Sequence, residues 1–420
     1  MQVISTLKEH HIPVYYVGGF VRDRILGRPS KDVDLIVDWP LDQVYPLLKG
    51  KKALIKGKLI RLTQGAKVEI SQMLEGSLEA DLSSRDFTVN AMAMTPEGQI
   101  IDYVGGVEDC QLKVLRLVKE QNLLADYGRA IKGIRQAVEL GFTIAPQTLE
   151  LFARHANLAG QIAPERIQLE LNKIVLLPQP SIALDLLRVS GILAEVLPEL
   201  QNLFGQQHHN SHHQYDIYWH TLHAVDNADI SGLNEDEALI VRLAALGHDL
   251  GKPAVRTVNP KNGQHRFLKH QQVSVELFRP VLTRLTYGYQ LIDQVLVLVR
   301  EHMRQHELLE MSDYKFRKFM YGIRNINPDL LLLLFRADVL AKGNTGDEVD
   351  TERLEQIGKR MADCQIKELA ITGKDIMEHS TLRGPEIGQV KVYLMDQILR
   401  KPELNQRETL LKLVEKYSAR

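Results

Sequence analysis

Strand signals in this chain stop about a quarter of the way along it. Val14–Val17 and Val33–Val37 read as short strands, separated by Gly-Gly and Arg-Pro-Ser turns. Beyond about Leu115 the apolar residues recur at helical spacing instead: Ala130, Ile131, Ile134, Ala137 and Val138, then Ile167, Leu171, Ile174 and Val175, then Ile292, Val295, Leu296 and Val299. The pattern predicts a small α/β head followed by a long all-helical body. Its 420 residues suit two to four domains, and 44% hydrophobic with 25% charged residues is a globular composition. Pro-Gln-Pro at 178–180 and the polar stretch Gln201–Gln214 are the expected joints. Two cysteines, Cys110 and Cys364, are too few for a disulfide framework or a thiolate zinc site, so a reducing, cytoplasmic setting is expected. No signal peptide is read at the start. The longest apolar run, Leu330–Phe335, is far short of a membrane span, so no membrane partner is expected.

Within the head, Val17-Gly18-Gly19-Phe20-Val21-Arg22-Asp23 sets a glycine pair between a strand and a helix start. Glycines there let backbone N–H groups approach a phosphate, although an ordinary strand–turn–helix has the same pattern. Asp32-Val33-Asp34-Leu35-Ile36-Val37 adds a stronger constraint. On a strand, residues two apart share a face, so both carboxylates point one way while Val33, Leu35 and Val37 face the core. Paired carboxylates on a rigid strand repel unless cations lie between them, and two Mg²⁺ ions about 3.5–4 Å apart would supply that charge. The alternative is a solvated strand edge.

The neighbours decide between these. Asp81-Leu82-Ser83-Ser84-Arg85-Asp86-Phe87-Thr88-Val89-Asn90-Ala91-Met92-Ala93 has a polar start and a small-residue end that reads as helical. Asp126 and Arg129 lie three apart on an expected helix, offering a base edge one acceptor and one forked donor. The ordered set GG-x-VRD, DVD, RDFTVNAMA, D-x-x-R with RQAVELGF, and PERIQLEL resembles the class II tRNA nucleotidyltransferase and bacterial poly(A) polymerase family over about the first 200 residues. The resemblance implies a polymerase-beta-like head in which Asp32 and Asp34 hold catalytic Mg²⁺. Gly18, Gly19, Arg22 and Asp23 would cradle the nucleotide, and Arg85, Asp86 and Asn90 would bind its sugar and phosphates. Asp126 and Arg129 would read the base of CTP or ATP. Lys132 and Arg135 would line the same pocket, Glu165 and Arg166 would support it from the neck, and Glu69 is a candidate third acidic group.

Two departures from the family pattern stand out. The base-reading helix usually begins Glu-Asp-Pro-Leu-Arg, whereas here Ala125-Asp126-Tyr127-Gly128-Arg129 is followed by Lys132 as the next basic residue. Gly128 and Gly133 each weaken a helix by up to about 1 kcal/mol relative to Ala, which predicts a looser template. Second, only 15 residues separate Glu69 from Arg85. Full CCA-adding members carry a longer loop there, associated with switching from C to A addition, and its absence resembles members that add only the two cytidines.

Net charge is -1, from 52 basic and 53 acidic residues, so nucleic-acid binding must rest on local features. Lys49, Lys51, Lys52, Lys56, Lys58 and Arg61 fall in a stretch without acidic residues, from Gln43 to Ala66. The run is either a solvated face or a tRNA contact with steep salt dependence.

Histidine is the unevenly distributed residue: 11 of 15 lie between His208 and His306. Leu243-Ala244-Ala245-Leu246-Gly247-His248-Asp249-Leu250-Gly251-Lys252-Pro253 ends one expected helix, His220 begins another, and Asp338 follows an apolar helix. This H…HD…D order resembles the HD phosphohydrolase superfamily. It implies His220, His248, Asp249 and Asp338 as ligands of a divalent transition metal or Mg²⁺, with His270 and His302 as candidate ligands of a second ion. His208, His209, His212 and His213 read as a polar loop.

The expected organisation is α+β: a nucleotidyltransferase head at 1–112, a helical neck at 113–205, an HD domain at 206–345 and a helical tail at 346–420 with a tRNA contact. The expected function is CC, or full CCA, addition to tRNA 3′ ends with an attached phosphodiesterase or phosphatase activity. A poly(A) polymerase, and an HD phosphohydrolase with a degenerate RNA-binding head, remain the alternatives. The residues leave the oligomeric state open.

Overall fold

The computed structural model describes residues 2–30, 32–48, 53–56, 59–62, 67–208, 215–343 and 347–419. They form two compact units, Met1–Gln201 and Asn202–Arg420. Lys49, Lys51, Lys52 and Lys58 of the basic run, and His209, His212 and His213, lie outside the described residues.

The first unit holds α1 (Gln2–Glu9), β1 (Val14–Val17), α2 (Gly19–Ile25), β2 (Asp32–Val37), α3 (Leu41–Leu48), β3 (Ala53–Lys56), β4 (Leu59–Leu62), β5 (Lys67–Gln72), α4 (Leu78–Ser83), β6 (Met92–Met94) and β7 (Ile100–Asp102). After these come α5 (Gly106–Leu112), β8 (Val114–Leu115), α6 (Glu120–Ala125), α7 (Gly128–Leu140), β9 (Thr143–Ile144), α8 (Pro146–Arg154), α9 (Pro164–Val175), α10 (Pro180–Val189), α11 (Ile192–Val196) and α12 (Pro198–Gln201). Seven strands make one sheet of order β3-β4-β5-β2-β1-β6-β7. β2 runs parallel to β5, and the other neighbours are antiparallel.

The alternation in β2 explains its position. Val33, Leu35 and Val37 pack with Val3, Ile4 and Leu7 of α1 and Leu41, Val44 and Leu48 of α3 in one buried cluster. Fully burying each such side chain stabilises the fold by about 1.5–3 kcal/mol. The even-numbered residues share the other face, where Ile36 is buried with Val17, Ala93 and Leu82. Asp34 on that face is half-buried and Asp32 is exposed.

Two local expectations are corrected. Ala91-Met92-Ala93 is not helical: a short 3-10 turn at Thr88–Asn90 leads into β6, which pairs with β1 (Val17 opposite Ala93). Ala and Met favour helices, but these residues are completely buried, and pairing satisfies their backbone polar groups. The body is also not wholly helical. β8 pairs with β9, and β10 (Thr257–Val258) pairs with β11 (His265–Arg266), each strand being two residues long and too short to show alternation.

The second unit contains α13 (Ile217–Asn227), α14 (Glu235–Gly247), α15 (Lys252–Val255), α16 (His270–Arg284), α17 (Tyr289–Glu301), α18 (Asp313–Gly322), α19 (Pro328–Leu340) and α20 (Asp347–Asp363). It ends with α21 (Gly373–Glu378), α22 (Pro385–Arg400) and α23 (Arg407–Ser418) around a separate apolar cluster that includes Ile376, Leu394 and Leu410. Thr372 opens α21 with a reciprocal cap involving Asp375. Among the described residues, no helix is long and apolar enough to cross a membrane.

Candidate functional site

In the first unit, the carboxyl-side end of β1, the start of β2, α7 and α9 surround a cavity of about 650 Å³. Gly18, Gly19, Arg22, Asp23, Asp32, Asp34, Arg85, Asp86, Asn90, Asp126, Arg129 and Lys132 all line it. Gly18 has φ +69°, and a Cβ there would lie 3.3 Å from both Arg85 Nη1 and Asp34 Oδ2. Glycine therefore serves both the turn and the close approach of backbone to these charges.

Asp34 is paired in register with Glu69 on β5 and with Val17 on β1. Burial raises its pKa above the ordinary carboxylate value; Glu69 and Asp32 add to the rise, while Arg85 and Lys67 oppose it. A half-buried carboxylate beside two others is a place where added positive charge is stabilising, so this donor set fits a hard divalent cation. Glu69 itself is held by Arg61, at 3.0 Å from Nε and 2.7 Å from Nη2, and does not line the cavity.

Behind the glycine turn a polar network joins α2, the Arg85–Asn90 segment and α7. Arg22 Nη1 donates to Asn90 Oδ1 (2.8 Å), and Asn90 Nδ2 donates to Asp86 Oδ1 (3.0 Å) and to Gln136 Oε1 (2.9 Å). Lys132 Nζ lies 2.5 Å from Asp86 Oδ2. Burial alone would raise the Asp86 pKa, but the Lys132 ammonium and the hydrogen bonds from Lys132, Asn90 and the Phe87 N–H hold it below the usual carboxylate range.

Asp126 departs from the expected helical placement. It caps the end of α6 in an extended conformation (φ −154°, ψ 93°), ahead of α7. Its carboxylate accepts the Gly128 N–H (3.1 Å) and Arg166 Nη2 (2.9 Å), a local bond that competes with continuing the helix. The Arg166 hydrogen bond lowers the Asp126 pKa. Arg129 Nη1 donates to the Ser84 carbonyl (3.0 Å).

The glycines of α7 are also not a looseness. A Cβ at Gly133 would lie 2.3 Å from Phe87 Cζ, and one at Gly128 would lie 2.8 Å from Arg166 Nη2. Arg135 is buried away from the cavity, bonded through Nε to Glu170 (2.6 Å) and paired with Glu139. Gln136, the next residue of the RQAVELGF segment, to which the resemblance assigned no role, lines the cavity in its place. Glu165 is exposed and does not line the cavity, whereas Arg166 does.

In the second unit six candidate ligands converge in two groups, His220–His248–Asp338 and Asp249–His270–His302, all buried. Asp249 joins them: Oδ2 is 3.4 Å from His220 Nε2 and 3.2 Å from His248 Nε2, while Oδ1 is 3.2 Å from His270 Nε2 and 4.0 Å from His302 Nε2. The histidine orientations are set from behind. Nδ1 of His220, His248, His270 and His302 faces the carbonyls of Ala341, Ala245, Phe267 and Val299 at 3.3, 2.7, 2.8 and 2.7 Å. A carbonyl only accepts, so each Nδ1 carries a hydrogen and each Nε2 is the ring nitrogen turned toward the cluster, the one a neutral ring would offer to a metal. Both Asp249 oxygens are fully buried without a hydrogen bond of ordinary geometry, although Lys252 Nζ approaches Oδ2 to 2.6 Å as an ion pair. Burial would raise the Asp249 pKa, but His248 and Lys252 hold it well below the carboxylate range. Burial, with the charges of His248 and His270, pushes His302 down to about 3. This donor set fits divalent metal.

Gln305 was not anticipated; its Nε2 donates to Asp338 Oδ2 (3.2 Å) and orients that carboxylate. The polar-loop reading fails for His208, which is buried, with Nε2 3.1 Å from Lys252 Nζ and its ring edge-on to His220. A single histidine inside a His-rich run carries no sequence sign of which member turns inward.

The family models described as the poly A polymerase head domain, the probable RNA and SrmB-binding site of polymerase A and the HD domain match residues 14–72 and 58–116, residues 141–204, and residues 210–343. The CC-adding tRNA nucleotidyltransferase of Thermus thermophilus is 33% identical over 398 residues, covering 90% of this chain and 88% of the relative. The A-adding tRNA nucleotidyltransferase of Deinococcus radiodurans is 31% identical over 394 residues, covering 89% and 88%. The crystal structure of the Bacillus stearothermophilus CCA-adding enzyme in complex with CTP has the same fold, with a TM-score of 0.68, 22% identity, and coverage of 100% of this chain and 96% of that one. The chain therefore belongs to the CCA-adding tRNA nucleotidyltransferase family and carries an HD domain behind its nucleotidyltransferase head.

Proposed function

We propose that this protein transfers CMP from CTP to the 3′ end of tRNA, stopping after two cytidines. The observation that supports the transferase reading is that Asp32, Asp34, Asp126 and Arg129 all line a single cavity. Mg²⁺ bound by Asp32 and Asp34 would supply Lewis acidity for the attacking 3′-hydroxyl and neutralise the triphosphate. In the reaction the hydroxyl oxygen bonds to the α-phosphorus, its proton passes to solvent water, and the bond from the α-phosphorus to the oxygen bridging to the β-phosphate breaks to release pyrophosphate. Gly18 and Gly19 leave the backbone open to the triphosphate. Arg22, Arg85 and Lys132 offset its charge, and Asp126 and Arg129 present an acceptor and a forked donor to the base. Positioning and electrostatics supply most of the catalysis in such a transfer.

CC rather than CCA addition rests on the short path from β5 to Arg85. A 3-10 turn at Leu74–Gly76 and α4, capped by Ser77, fill it. The Thermus thermophilus and Deinococcus radiodurans relatives, one CC-adding and one A-adding, are similarly identical to this chain, so the reading rests on this segment and not on identity.

For the HD domain the proposal is metal-dependent hydrolysis of phosphate esters at RNA 3′ ends. His220, His248, Asp249 and Asp338 would hold one divalent ion, and Asp249 with His270 and His302 a second; ions held there would supply Lewis acidity to an attacking water. The same division into head (1–112), neck (113–205), HD domain (206–345) and tail (346–420) organises the proposal, with ATP as an alternative nucleotide and the tail as a tRNA contact.

Paired double variants test both sites. Asp32→Ala with Asp34→Ala should abolish nucleotide addition and leave hydrolysis of 2′,3′-cyclic phosphates, and His248→Ala with Asp249→Ala should do the reverse. Normal nucleotide addition by the first double variant would remove the basis for the two-metal reading.

A further inference from the structure

Among the α7 residues that line the cavity are three with polar side chains, Arg129, Lys132 and Gln136. Their spacing places them on one helix face, and at 1.5 Å per residue Gln136 stands about 10 Å along the axis from Arg129. The orientation of the Gln136 amide follows from its neighbours. Asn90 Oδ1 accepts from Arg22 Nη1 (2.8 Å), so Asn90 Nδ2 faces Asp86 Oδ1 (3.0 Å) and Gln136 Oε1 (2.9 Å). A guanidinium only donates and a carboxylate only accepts, so Asn90 cannot be flipped, and Gln136 must offer its oxygen to it. The Gln136 Nε2 group then remains. Among the described residues it donates no hydrogen bond within the protein, and the side chain is half-buried on the cavity wall.

We propose that Gln136 is a nucleotide-binding residue that donates from Nε2 to an oxygen of the triphosphate. The inference rests on the reading of this cavity as the nucleotide site with the base edge at Asp126 and Arg129. From there, about 10 Å along α7 passes the ribose and reaches the phosphates. The network beside Gln136 includes the cations Arg22 and Lys132, which suit the same anionic group. A neutral amide adds direction to that charge without distinguishing one base from another, so it serves CTP and ATP alike.

Two variants separate ligand binding from a structural role. Gln136→Glu keeps an oxygen for Asn90 but replaces the donor with a negative acceptor, and Gln136→Ala removes both. Calorimetric binding of CTP, ATP and cytidine to the full chain, together with KM and kcat, gives the readout. For Gln136→Ala, CTP and ATP should each bind roughly 3- to 10-fold more weakly, the loss of one hydrogen bond. Gln136→Glu should be worse than Gln136→Ala, cytidine binding should not change, and KM should rise more than kcat falls. Wild-type-like binding by Gln136→Glu, a loss confined to one base, or an equal loss for cytidine would each overturn the proposal. A wild-type protein that binds neither CTP nor ATP would instead remove the reading of the cavity, and this inference with it.

Discussion

A Cβ on Gly133 would lie 2.3 Å from Phe87 Cζ, so α7 rests on the Phe87 ring because position 133 has no side chain. Phe87 is fully buried and meets Phe152 edge-on at 6.4 Å between centroids. Gly133→Ala gains about 1 kcal/mol of helix propensity but overpacks this contact at a cost of about 1–3 kcal/mol. The expected net outcome is a lower urea midpoint with an unchanged m-value. A higher midpoint would mean the ring can move aside.

Asp86 gives the first unit an acid-sensitive point. Its folded pKa is depressed by Lys132, Asn90 and the Phe87 N–H against the effect of burial. Its contribution is therefore present above the unfolded carboxylate value, about 4, and is lost as pH falls through the lower folded value. Urea unfolding of wild type and Asp86→Asn should differ most near neutrality and converge as pH falls below about 4. A difference that is flat with pH would contradict this assignment.

Arg166 is half-exposed and solvent-screened, so its pair with Asp126 adds little stability, yet it holds the carboxylate proposed to read the base. Arg166→Ala should leave Tm nearly unchanged and raise the KM for CTP several-fold. Steady-state kinetics beside a thermal melt checks this, and a fall in Tm with unchanged KM would assign Arg166 to the scaffold instead.

Asp249 has one oxygen toward each histidine group. Asp249→Ala should therefore remove nearly all tightly bound divalent metal, while His270→Ala should remove only the portion held with His302. Metal analysis after gel filtration measures this. Equal loss from both variants would point to a single ion.

The parts of the structure legible in the sequence were those set by short-range pattern. Alternation placed Asp32 and Asp34 on one face of β2, glycine marked the turn before α2, and the H…HD…D order gathered the second site. What escaped the sequence depends on distant partners. Met92 and Ala93 favour a helix until β1 needs a neighbour, and Gly133 weakens a helix until Phe87 needs the space. Arg135 and Gln136 are adjacent on α7, so which of them faces the cavity is decided by Glu170 and Asn90. His208 is turned inward by contacts with Lys252 and the Tyr215 carbonyl that no local pattern announces.

The most direct measurement is nucleotide incorporation into a tRNA lacking its CCA end, with labelled CTP and ATP supplied separately and together. The account predicts addition of two CMP residues and no AMP on the CC-ended product, with all incorporation lost in the Asp32→Ala, Asp34→Ala double variant. AMP added to the CC-ended tRNA would contradict the CC assignment. Long A tails, or incorporation that survives the double variant, would contradict the central claim.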